Sequence, residues 1–348
     1  MAQKLVWASL ALVPATLVLR FGVDVRHVVQ FGVAAAALVP LAWVIGEATE
    51  HAAEHTDPRI GGLLNASFGN APELIIALVA IDNGLPNVVR GSLAGSIVSN
   101  VLLVFGVALV STREELIDRR SLGWQLGLVF AAVLLFLIPS VPGWHGNPDR
   151  HSLAVLTIPI AIVLLAVYAA HMIVTLRRRE RALKAVPPDP PGGWSLHNAL
   201  ATLAIATAAT ALVSEILVNS LESFAHSAGL SEFFIAAVIV AIVGNAAEHG
   251  GAIVIARRGK IHLASEIAIS SSAQVALLVT PAVSLLSWAI RPGLPLSFRP
   301  VELATIGGGS LLVARVIQDA KGKRWEGAVM LAAYAIVVFG FWLAGDRS

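Results

Sequence analysis

The chain has 348 residues, 57% of them hydrophobic and only 13% charged, with a formal net charge of +2 and no cysteine. At a mean hydropathy of +0.79, this is the composition of a polytopic membrane protein, not of a soluble core. The lack of cysteine excludes disulfides, thiolate chemistry and Cys-ligated zinc, and basic residues that form no stripe with aromatics give no sign of nucleic-acid binding.

Apolar runs of about 20 residues, broken by Gly, Pro and charge, predict an all-α fold of eleven transmembrane helices. They lie near 5–21, 28–50, 60–82, 87–110, 123–142, 152–176, 196–219, 231–256, 262–288, 297–317 and 325–345. The first run has no Ala-x-Ala-like site after it and reads as a retained helix, not a cleaved signal. The second ends at Thr49-Glu50, just before His51-Ala-Ala-Glu54-His55. The third contains Gly69-Asn70-Ala71-Pro72-Glu73, and the fourth contains Ser96, Ser99 and Asn100. After the sixth comes a basic, Pro-rich linker, 177–194. The seventh carries Ser214-Glu215, the eighth Gly244-Asn245-Ala246-Ala247-Glu248, and the ninth Glu266, Ser270, Ser271 and Gln274.

The order of these features repeats. The two glutamates, Glu73 and Glu248, are 175 residues apart, and so are the two Gly-Asn pairs. Asn100 then falls opposite Gln274, and Ser96 opposite Ser270. The chain divides into an N-terminal helix (1–27), a first five-helix repeat (28–176), the linker (177–194) and a second five-helix repeat (195–348). Five is odd, so the two units enter the membrane from opposite sides as inverted repeats, with a site expected at the midplane between them. Counted loop by loop, 17 of the 24 Lys+Arg fall on one side. The positive-inside rule puts that side, the N-terminus and the linker in the cytoplasm, and the C-terminus outside, in the cell's plasma membrane.

A carboxylate inside a lipid span costs a few kcal/mol and marks an ion pathway. Each phrase sets an amide and a carboxylate three residues apart, on one helix face. Two facing carboxylates can hold protons, or one divalent cation whose charge cancels both, but cannot cheaply stay empty and doubly ionised. Proton and metal therefore compete for the same oxygens. The candidate ligands are Glu73 and Glu248 for the metal, joined by Asn70, Asn245, Ser96, Ser99, Asn100, Ser270, Ser271 and Gln274. Glu50, Glu215 and Glu266 are vestibule candidates, with Glu266 expected to pair with Arg257, Arg258 or Lys260. No catalytic residue and no cofactor is expected. The partners are the bilayer and the transported ions, and a homo-oligomer is left open.

The stretches Gly61-Gly-Leu-Leu-Asn-Ala-Ser-Phe-Gly-Asn-Ala-Pro-Glu-Leu-Ile-Ile76 and Gly244-Asn-Ala-Ala-Glu-His-Gly250 resemble the two alpha-repeat signatures of the cation/proton exchangers, the CAX branch of the Ca²⁺/cation antiporter superfamily. The resemblance runs from about Val28 to Trp342. It implies Ca²⁺/H⁺ exchange with Glu73 and Glu248 as shared ligands, in a secondary active transporter and not an enzyme. The family often carries an acidic segment between its halves, where this chain has a basic one. The alternatives are a Na⁺/Ca²⁺ or Na⁺(K⁺)/H⁺ exchanger of the same fold. From another class comes an intramembrane zinc metalloprotease, because His51, Glu54 and His55 match H-x-x-E-H.

Overall fold

In the computed structural model, the residues described are 7–22, 25–111, 115–183 and 193–346. The helices are α1 (Leu12–Phe21), α2 (His27–Glu54), α3 (Pro58–Phe68), α4 (Ala71–Asp82), α5 (Pro86–Ser111), α6 (Arg119–Gly143), α7 (His151–Leu183), α8 (Leu196–Ala228), α9 (Glu232–Gly244), α10 (Ala246–Arg257), α11 (Ile261–Ala289), α12 (Pro300–Val316) and α13 (Arg324–Ala344). Two-residue strands, β1 (Glu115–Leu116) and β2 (Lys321–Gly322), pair antiparallel. Among the described residues eight helices are long and apolar enough to cross a membrane, and nine if α9 and α10, bent by 60° at their junction, form one span. The first apolar helix is too short to qualify, and the third expected span is divided at Gly69–Asn70 into α3 and α4. Much of the linker, 184–192, and the terminal Ser348 lie outside the described residues.

Local chemistry sets the helix ends. Asp118 accepts from the backbone N–H of Arg120 and Ser121 at the start of α6, and Ser231 accepts from Phe234 at the start of α9. Both satisfy amides that have no partner inside the helix. Gly229, with φ +65°, closes α8 in the left-handed conformation that glycine adopts without strain. α5 and α11 each contain a π-turn segment, Ser99–Val104 and Val275–Val279. In α11 the Thr280 hydroxyl donates to the Val275 carbonyl five residues back. Such bulges inside helices are frequent at functional sites.

One continuous apolar core joins the two halves of the chain, drawing Leu38, Ile97 and Phe136 from the first and Leu217, Ile235 and Val275 from the second. α2 and α8 pack along each other. α5 lies so close to α9 that a side chain at Gly95 would collide with the Ala237 carbonyl, the small-residue contact by which helices approach inside lipid.

Candidate ion-binding site

Both phrases break their helices at the asparagine. Asn70 has φ −102° and ψ 16°, and Asn245 has φ −93° and ψ 13°. α4 and α10 restart one residue later, so Glu73 and Glu248 each sit in a first turn. The positive end of the helix dipole makes that turn the place where a carboxylate is best tolerated within a span. Pro72 fits there because its missing N–H would have no partner inside the helix anyway.

The glycine of each phrase faces the glutamate of the other. A Cβ at Gly244 would lie 3.3 Å from Glu73 Cγ, and one at Gly69 would lie 3.9 Å from Glu248 Oε1. The first glycine of Gly-Asn-x-x-Glu therefore makes room for the carboxylate of the opposite half, and the two breaks cross. A small cavity of about 10 Å³, at the lower limit for holding a single water, lies beside Glu73 between Ser92, Ser96, Val240 and Gly244.

The amides cross as well. Asn70 Nδ2 donates to Gln274 Oε1 at 2.7 Å. Asn100 Nδ2 donates to Asn245 Oδ1 at 3.1 Å and to Ser271 Oγ at 3.0 Å. Asn245 Nδ2 donates to Ser96 Oγ at 2.8 Å, and Gln274 Nε2 to Ser270 Oγ at 3.4 Å. Each half's broken helix is thus held by the amide of the other half. The Ser271 hydroxyl donates to Glu248. Glu73 Oε2 and Asn100 Oδ1 are buried with no hydrogen-bond partner among the described residues.

Nine of the ten predicted ligand positions therefore meet in one cluster. Ser99 does not join it, because its hydroxyl donates to the Ser96 carbonyl of its own helix. Glu50 and Glu215 are exposed on α2 and α8 and bond to none of the cluster. Glu266 departs from expectation. Instead of pairing with Arg257, Arg258 or Lys260, its Oε2 accepts from Gln125 Nε2 of α6 at 2.7 Å. His51 and His55 of the H-x-x-E-H motif turn to different partners. His51 Nδ1 lies 3.2 Å from Glu54, while His55 Nε2 donates to the Trp194 carbonyl at 2.7 Å. Among the described residues no group of three His, Asp or Glu could hold a metal that way.

Sequence reading passed over Arg90, which is 1% exposed in α5 and donates to Asp149 at 2.7 and 3.3 Å and to Asn87 at 3.0 Å. An arginine inside an apolar run was the available signal. It clasps the start of α5 to the loop before α7, away from the crossed breaks.

Known proteins match this chain in sequence and in fold. The profile of the sodium/calcium exchanger protein family matches residues 26–177 and 198–343, on both sides of the linker. The chain belongs to this family. It is 38% identical to the Ca²⁺/H⁺ antiporter ChaA of Bacillus subtilis, over 90% of this chain and 92% of that one. It is 33% identical to a Ca²⁺/H⁺ antiporter of Aphanothece halophytica, over 89% of each. The solved structure of native YfkE superposes with a TM-score of 0.83 at 33% identity, covering 97% of this chain and 99% of that one. The H⁺/Ca²⁺ exchanger CAX, with a TM-score of 0.71 at 15% identity, shares the fold of this family member.

Proposed function

We propose that this chain is a secondary active transporter that exports Ca²⁺ from the cytoplasm in exchange for protons, with Glu73 and Glu248 as ligands common to both ions. The observation that carries this is the reciprocal seating of each glutamate against the glycine of the other half. The names of relatives 33–38% identical over about nine-tenths of the chain favour the same ions. Ca²⁺ takes about 6–8 oxygens. Two carboxylates offer up to four, and the buried, unpartnered Asn100 Oδ1 is a further acceptor within the same cluster. When protons occupy the carboxylates, their oxygens are lost to the metal, so one site exchanges the two ions.

In this reading the chain crosses the plasma membrane eleven times, as a first helix and two inverted five-helix repeats, with the N-terminus and linker inside. α3–α4 and α9–α10 are each one broken crossing. Matching breaks, crossed amides and π-turns in α5 and α11 support the inverted repeat. The site opens toward the basic face. α4, running away from it, buries Ala71, Pro72, Glu73, Ile76, Ala77, Ala80 and Ile81, whereas α10, running toward it, buries only His249, Ala252 and Ala256.

Ca²⁺ uptake into inverted membrane vesicles under an imposed pH gradient tests the reading. Uptake driven by the gradient and insensitive to Na⁺ is expected. Uptake that needs Na⁺, or none at all, would overturn it. Single cysteines placed in this Cys-free chain test the orientation, since labelling of the linker from outside intact cells would reverse it.

A further inference from the structure

α11 carries a stripe that the crossed site does not account for. Between Ala264 and Ala282, Glu266, Ser270, Gln274, Leu278 and Ala282 recur at four-residue spacing and are partly exposed, joined only by Ile267, while the rest of that stretch is buried. Four-residue spacing keeps the five on one side of the helix. The stripe changes character at the level of the site. Glu266, Ser270 and Gln274 are polar, and Gln274 reaches Asn70, whereas Leu278 and Ala282 beyond it are apolar. Polar side chains at this depth face the protein interior or water, not lipid. A stripe that is polar from the basic end of α11 up to the ligands, and apolar past them, matches a path open on one side only.

Glu266 stands at the outer end of that path. Its one bond among the described residues is from the neutral amide of Gln125, which also donates to Ser121. The basic groups at the neighbouring ends of the elements packed with it are Arg119 and Arg120 at the start of α6, Arg257 and Arg258 at the end of α10, and Lys260 and His262 at its own helix start, while Glu248 and His249 of α10 and Arg90 of α5 lie further along those helices. None forms an ion pair with it among the described residues, and Arg119 donates to the Gln318 carbonyl. A carboxylate whose one bond is to a neutral amide has no fixed counter-charge competing with a mobile cation.

We infer that Glu266, Ser270 and Gln274 line a hydrated approach from the basic face to the ion site, with Glu266 as the outer carboxylate that collects a divalent cation before it reaches Glu248 and Glu73. This rests on the exchange reading, and its test has one arm independent of transport. In full-length protein in inverted vesicles, Ser270→Cys should react with an impermeant, charged thiol reagent, and Leu278→Cys, on the same stripe past the site, should not. Equal protection of both would overturn the approach path.

In the transport arm, Glu266→Gln should raise the KM for Ca²⁺ by about three- to five-fold, the effect of one partly screened charge on a focused approach. The maximal rate should change less, and Glu266→Asp should restore the KM. Gln125→Ala keeps the carboxylate and removes its tether, so its KM should stay near that of the parent protein. An unchanged KM in Glu266→Gln, or the same KM rise in Gln125→Ala, would reduce Glu266 to a structural partner. Labelling of Ser270→Cys, together with no Ca²⁺ uptake by the parent protein, would count against Ca²⁺/H⁺ exchange and leave the path itself standing.

Discussion

The two crossed breaks have nearly the same backbone but unequal surroundings. Asn70 and Asn245 differ by less than 10° in φ and by 3° in ψ, yet Glu248 accepts from the Ser271 hydroxyl while Glu73 Oε2 has no partner among the described residues. The sequence explains the difference. With Asn100 opposite Gln274 and Ser96 opposite Ser270, the position opposite Ser271 is Ile97, which has no donor to offer. The bend likewise does not need proline, because Pro72 in the first break stands opposite Ala247 in the second. In the proposed inverted-repeat reading, the two copies keep the same backbone break while the groups beside each carboxylate differ.

The strongest way to break this comparison is to remove the charges. Glu73→Gln and Glu248→Gln should each lower exchange by about 100-fold or more, the scale of deleting one member of a buried charge cluster, with folded protein recovered in normal amount. Flux measurements in proteoliposomes check this, and full transport by either variant would remove that glutamate from the site.

Next comes the proton linkage. If the same oxygens hold Ca²⁺ or protons, metal binding must release protons, so apparent Ca²⁺ affinity should fall as pH falls. The slope of log Kd against pH should approach minus two if both carboxylates begin protonated. Calorimetric titrations in buffers of different protonation enthalpy read the number released, and a flat Kd across the acidic-to-neutral range would leave the exchange without a shared site.

The asymmetry itself is sharpened by Ser271→Ala, which gives Glu248 the donor-poor setting of Glu73. A hydrogen bond to a charged group contributes about 1.5 kcal/mol or more. Apparent Ca²⁺ affinity should therefore weaken by about ten-fold at acidic pH, where protons compete, and by less at alkaline pH. Equal affinities for the variant and the parent across pH would mean that this hydroxyl only packs.

The smallest effect is expected from Pro72→Ala. The second break keeps its shape with Ala247, so transport should stay within about three-fold and the loss of stability should be under about 1 kcal/mol. A collapse of transport would mean that proline, and not Gly69 with the crossed amides, holds the first break open.

Much of this was written in the chain. Helix positions follow from apolar run length, because lipid obliges each crossing to satisfy its own backbone. The Gly-Asn-x-x-Glu phrases and the amides of the next spans are legible because a carboxylate or amide deep in an apolar run is too costly to lack a purpose. The sequence could also align the two halves, since equal spacing survives in a linear string.

Only the tertiary structure decided who touches whom. That Gly69 makes room for Glu248 and Gly244 for Glu73 depends on two helices crossing from opposite halves, which no spacing encodes. The same holds for Glu266, whose charged neighbours in sequence suggested an ion pair until packing brought Gln125 of α6 against it. Ser99 turned to its own helix because a hydroxyl on a span can bond the carbonyl three or four residues back as readily as a neighbour. Periodicity fixes which face a residue occupies, but the partner across that face is set by how the helices pack, and here that packing separates Ser96, bonded across the halves, from Ser99, bonded to its own helix.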